Sequence, residues 1–97
     1  MLAVRVHLDR CVEENGPVRV LSRSHRAGRL SAAEIDDWRA SAAAGGCLVE
    51  RGAILVFRPL VLHASSAATA PAHRRVVHIE FAAEDLPVPL EWHSRVA

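Results

Sequence analysis

A mainly β domain with a single inserted helix is the fold class this sequence predicts, on three grounds. Two stretches near the ends, Leu2–Leu8 and Arg74–Phe81, have the β-branched, alternating character of strands. Between them, Glu14-Asn15-Gly16-Pro17 has the chemistry of a tight turn, because Asn-Gly tolerates positive φ and proline fixes the start of the next segment. Finally, Ser31-Ala32-Ala33-Glu34 has the form of a capping box and stands ahead of the run richest in helix formers.

Each element has its source in local chemistry. Val4, Val6 and Leu8 alternate with Arg5, His7 and Asp9, the period of a half-buried strand. Val18–Leu21 reads as the returning strand of a hairpin closed at Asn15-Gly16. Ser22–Arg29 is polar and irregular. With Ser31 as N-cap, the Ala-rich run to Ala44 is helical, and Gly45-Gly46 stops it. Ile35, Trp38 and Ala42 share one face, which predicts a helix lying on a sheet. Cys47–Glu50 is a short strand turned by Arg51-Gly52, and Ile54–Phe57 is a buried strand broken at Arg58-Pro59. Leu60–His63 is a further strand, Ala64–Ala72 a loop of small residues, and Arg74–Phe81 the last strand. Pro87 and Pro89 keep the tail extended. There is no internal repeat and no linker, so residues 1–97 form one domain.

A chain of 97 residues buries a modest share of its surface, which predicts thin stability unless a partner covers it. A hydrophobic content of 51% with 24% charged residues is globular rather than disordered. The formal net charge is +1, which argues against a nucleic-acid or anionic-membrane partner. Cys11 and Cys47 make no CxxC pair, so no zinc or redox motif is indicated. Reduced thiols in a cytoplasmic protein and a single disulfide both fit two cysteines, with the thiols favoured. Neither a signal peptide nor an apolar run of roughly 20 residues is evident. The expectation is a soluble cytoplasmic protein.

Chemistry concentrates at a few positions. His7-Leu8-Asp9 spells a His-x-Asp, and His63 lies downstream, the order of ligands in a non-haem iron site. His63 also fits a satisfied histidine at a strand edge. Ser65 lies two residues on and faces the same way if the strand continues. Arg74 opens the next strand, and its rigid fork suits a carboxylate, although Arg74 and Arg75 also read as two solvated charges.

His7-Leu8-Asp9, Glu14-Asn15-Gly16-Pro17-Val18-Arg19-Val20 and Ser24-His25-Arg26 together resemble the "LDD…ENGPLRVIPGSHR" segment of the phytanoyl-CoA dioxygenase family. Leu62-His63-Ala64-Ser65-Ser66 followed by His73-Arg74-Arg75-Val76-Val77-His78-Ile79 resembles that family's distal histidine and 2-oxoglutarate arginine, and Leu90-Glu91-Trp92 the tail of one bacterial branch. The resemblance implies a double-stranded β-helix, a cupin-like jelly roll, of which this chain is the C-terminal portion. It implies Fe(II) with 2-oxoglutarate as co-substrate, and hydroxylation of a small organic substrate. It also implies His63 as distal iron ligand, Arg74 as the residue pairing with 2-oxoglutarate and Ser65 as a hydroxyl that helps hold it.

In that family the metal-binding His-x-Asp precedes the "LDD" segment by a few dozen residues. His7-Leu8-Asp9 occupies the segment itself, so Asp9 is expected to lead into the turn, with the true His-x-Asp lying ahead of Met1. Ser22-Arg23 stands where the family has Pro-Gly, a place where glycine permits a tight turn. Three functions therefore stay open: an Fe(II)/2-oxoglutarate oxygenase that needs an upstream segment, a non-catalytic β-fold module that assembles through uncovered sheet edges, and a small cupin-like metal binder using His7, Asp9 and His63.

Overall fold

Strand pairing in the computed structural model, which describes residues 1–96, divides the chain between two three-stranded antiparallel sheets. β1 (Leu2–His7) is the centre of the first, flanked by β4 (Ile54–Phe57) and β6 (Val76–Phe81). β2 (Val18–Val20) is the centre of the second, flanked by β3 (Gly45–Gly46) and β5 (His63–Ser65). Between β2 and β3 runs α1 (Ala32–Ser41). A mainly β fold with one inserted helix is what the sequence predicts, and it is consistent with part of a jelly roll.

β1 and β2 are not a hairpin. Cys11 and Val49 exchange both backbone hydrogen bonds, at 2.7 and 3.0 Å, and this bridge leads the chain away from β1. A 3₁₀ turn at Glu13–Asn15 then delivers it to the second sheet. Asn15 is buried and its side-chain oxygen accepts from the Val12 N–H at 3.3 Å, while Gly16 alone in the turn takes positive φ, at 66°. A Cβ at Gly16 would also run into the carbonyl of Ser66, so the position has no room for any side chain.

Register assigns the faces. Directly opposed residues point the same way. Leu2, Val4 and Val6 therefore share a face with Ile54, Val56, Val77, Ile79 and Phe81, whereas Ala3, Arg5 and His7 share the other with Leu55, Phe57, Val76, His78 and Glu80. In the second sheet Val18, Val20, His63 and Ser65 lie together, opposite Arg19 and Ala64. The rings of Phe57 and His63 lie 5.3 Å apart, so these two faces meet. Ala3, Val18, Leu21 and Val61 are buried between them, and Cys11 beside them.

Several expectations need correction. On β1 the polar set faces the interior: Ala3 and His7 are buried, while Leu2, Ile54, Val56, Val77, Ile79 and Phe81 are exposed on the other side. Ile54–Phe57 is thus a strand within its expected bounds but not a buried one. α1 begins where the capping box places it, with the Glu34 N–H donating to Ser31 Oγ at 3.3 Å and the Ser31 N–H to the Glu34 carboxylate at 2.7 Å. It ends at Ser41, short of Ala44, and no residue in it is buried. The outer face of the second sheet offers Arg19, Ala64 and Gly46, too little apolar surface to seat a helix.

The expected strand at Cys47–Glu50 is displaced to Gly45–Gly46, leaving only the Val49 bridge. The expected strand at Leu60–His63 lies instead at His63–Ser65, because Val61 closes a turn onto the Arg58 carbonyl. The last strand starts at Val76 rather than Arg74. Few apolar residues are buried, and the Cα radius of gyration of 15.1 Å exceeds the roughly 12–13 Å of a compact domain of this length.

Candidate site between the sheets

β5 places the exposed His63 against Phe57 of the facing sheet, and buried hydroxyl chemistry sets its position. Ser24 is fully buried; its hydroxyl donates to the Leu21 carbonyl and accepts from the Leu62 N–H, both at 2.7 Å. With the Leu21 N–H on the Leu62 carbonyl at 2.9 Å, this staples the start of β5 to the end of β2. The turn holding Ser24 depends on Arg23, which takes the left-handed conformation at φ 69°. A non-glycine residue there costs about 1 kcal/mol or more. The substituted Pro-Gly position has kept the turn and accepted the strain.

His63 Nδ1 lies 2.7 Å from the Val61 carbonyl. A carbonyl only accepts, so Nδ1 donates and Nε2 is left with its lone pair, the arrangement in which a backbone partner fixes a ligating tautomer. Ser65 lies on the same face, opposite Val18.

The two neighbouring arginines go to different partners. Arg74 donates to the carbonyl of Gly16, the residue packed against Ser66. The two sequence blocks, Glu14–Pro17 and His63–Arg74, therefore meet at one guanidinium just beyond Ser65. Arg75 instead grips Asp9 through Nε and Nη at 2.9 and 3.0 Å, and its backbone N–H adds a third bond at 2.9 Å. These bonds hold the Asp9 carboxyl far below the usual carboxylate range. Asp9 thus closes the end of β1 onto the loop before β6.

Inner-face residues of β1 were less visible from sequence. His7 is 3% exposed, and neither ring nitrogen has a hydrogen-bond partner among the described residues; Arg5 Nε is buried and unpaired in the same sense. Burial, then the charges of Arg5 and Arg74, hold the His7 imidazole below its ordinary range. Alternation alone sets Arg5 and His7 on one face. The missing signal was which face turns inward.

Two open clefts flank this interior. One of about 390 Å³ runs between the sheets beside Val20, Cys47, Leu55 and Phe57, and one of about 320 Å³ beside His7, Gly52 and Arg75. His63, Ser65 and Arg74 line neither. Among the described residues no three His, Cys, Asp or Glu side chains are grouped to hold a metal ion. The set His7, Asp9 and His63 is not assembled, since Asp9 is taken by Arg75. Cys11 and Cys47 are both free thiols. No helix among the described residues is long and apolar enough to cross a membrane.

The family model for phytanoyl-CoA dioxygenase matches residues 1–76. No curated protein matches the chain. The matched span takes in both blocks that meet at Arg74 and stops at Val76, the first residue of β6. That family is generally Fe(II)- and 2-oxoglutarate-dependent, and an oxygenase-like origin accounts for the facing sheets and for the meeting of the two blocks. With more than half of its length matched, this chain belongs to the phytanoyl-CoA dioxygenase family.

Proposed function

We propose that these residues supply the co-substrate half of an Fe(II)/2-oxoglutarate oxygenase site that hydroxylates a small organic substrate. Arg74 takes the distal carboxylate of 2-oxoglutarate, Ser65 assists it, and His63 offers Nε2 as one iron ligand. The observation that carries this reading is the guanidinium of Arg74 held on the Gly16 carbonyl, beyond Ser65, where the two family blocks converge. A planar fork with one N–H engaged keeps donors for a carboxylate. Among the described residues no set of His, Cys, Asp or Glu side chains completes an iron site, so this reading requires a second histidine and a carboxylate in addition to His63. The free thiols suit a cytoplasmic setting.

Calorimetric titration of 2-oxoglutarate into the chain and into Arg74→Ala tests the reading, with succinate release followed alongside. The expected result is binding without turnover, and a loss on the order of 2–5 kcal/mol in the variant, as for one partner of a hydrogen-bonded charge pair. Equal affinities would remove Arg74 from the site, and unaided turnover would overturn the half-site.

Assembly is a second reading, favoured by the apolar outer face of the β4–β1–β6 sheet. The occupant proposed is a second copy of the chain, since the face is self-complementary in character and carries no charge. Its six exposed side chains present on the order of 600 Å² per copy, so a symmetric pair buries about 1,200 Å², the lower end of stable interfaces.

A further inference from the structure

Arg5 and His7 stand beside the proposed co-substrate arginine with hydrogen-bonding capacity that the described residues do not use. Arg5 Nε and both ring nitrogens of His7 are buried without a partner. An unmet buried donor or acceptor costs roughly 1–3 kcal/mol, so three unmet nitrogens on one strand face call for a ligand. Arg5 and His7 are successive inward residues of β1, and Val76 lies directly opposite His7. Arg74 is two residues before Val76, so the three side chains border one region at the end of the sheet.

The groups on offer are an arginine N–H and an imidazole. The fixed positive charge of Arg5 beside the imidazole disfavours a cation there, and no carboxylate pairs with either of them among the described residues. We propose that Arg5 and His7 form an anion subsite that takes a carboxylate of an acidic substrate, separate from the carboxylate held by Arg74. This rests on the reading of Arg74 above, and it narrows the substrate to an organic acid. An anion there accepts from Arg5 Nε–H and from a ring N–H of His7. It also offsets the mutual repulsion of Arg5 and Arg74 around a neutral imidazole.

Acetate is the probe, followed by the ring 1H–15N correlations of His7 in chain labelled with 15N-histidine, with chloride at equal ionic strength as control. The expected result is a saturable shift of the His7 ring nitrogens, weakened about tenfold or more in Arg5→Gln and retained in Arg74→Ala. No shift in the unmodified chain overturns the subsite, whatever Arg74 does and whether or not the Arg5 variant folds. A shift lost in Arg74→Ala but kept in Arg5→Gln also overturns it, because Arg74 would then account for the binding alone. A normal His7 response in a chain whose 2-oxoglutarate affinity ignores Arg74→Ala supports the subsite and overturns the function proposed above.

Discussion

On the outer face of the β4–β1–β6 sheet every side chain is aliphatic or aromatic, whereas the inner face sets Arg5, His7, His78 and Glu80 among Ala3, Leu55, Phe57 and Val76. An antiparallel sheet with one face in water usually shows the reverse, apolar inside and polar outside. The inversion separates two demands. The inner face holds buried polar groups whose desolvation is tolerable only if they bind something. The outer face holds apolar surface whose exposure is tolerable only if something covers it.

The largest expected effect comes from a charge on the outer face. Ile79→Asp is expected to cost about 3–5 kcal/mol of association, because an unpaired carboxylate would be buried between copies. Sedimentation equilibrium should then show a shift to monomer. A change confined to about 0.5 kcal/mol would mean that the face stays in water, as for ordinary surface sites.

Next comes the inner face, where the sign reverses. His7→Leu removes two unmet ring nitrogens from a buried position, so it should stabilise the fold by about 1–2 kcal/mol. For a domain of this size that raises the thermal midpoint by roughly 4–8 °C per kcal/mol. A destabilised variant would show that His7 is a packing residue with no unmet demand.

At the seam between the sheets, Arg23→Gly should stabilise the chain by about 1 kcal/mol in chemical denaturation, since it relieves a left-handed non-glycine residue. A neutral result would shift the strain elsewhere. The smallest effect belongs to Asp9. Its carboxyl is depressed by Arg75, so the pair contributes stability above the ordinary aspartate pKa, and that contribution is lost as pH falls through the depressed value. Asp9→Asn should therefore lower stability slightly at neutral pH, where the pair is intact, and flatten the acid side of the profile below about pH 4, where that contribution is lost in the unmodified chain.

Legibility in the sequence tracks the range of the interaction. The capping box of Ser31 and Glu34 is local, and α1 starts where it predicts. Ile54–Phe57 is bounded by Arg51-Gly52 and Arg58-Pro59, and its limits hold. The partner of β1 was not legible. An Asn-Gly turn between two alternating runs predicts a hairpin, but the Cys11–Val49 bridge intervenes, and it joins residues far apart in the chain. The inward face of β1 was misjudged for a related reason: alternation separates two faces and does not say which one meets the other sheet. Arg74 stands out in the sequence for its fork and its family block. That its guanidinium ends on Gly16 depends on a turn and a loop that come together only in three dimensions.

β1 also has a kinetic consequence. It is synthesised well before either of its partners: Ile54–Phe57 comes later, and then Val76–Phe81, whose last residue pairs with Leu2. At about 5–20 residues per second, roughly 4–15 seconds separate the completion of β1 from that of β6 on the ribosome. Throughout that interval an apolar strand with two open edges waits for its neighbours. Such non-local pairing folds slowly, and a chain built this way depends in the cell on whatever shields β1 until its second neighbour arrives.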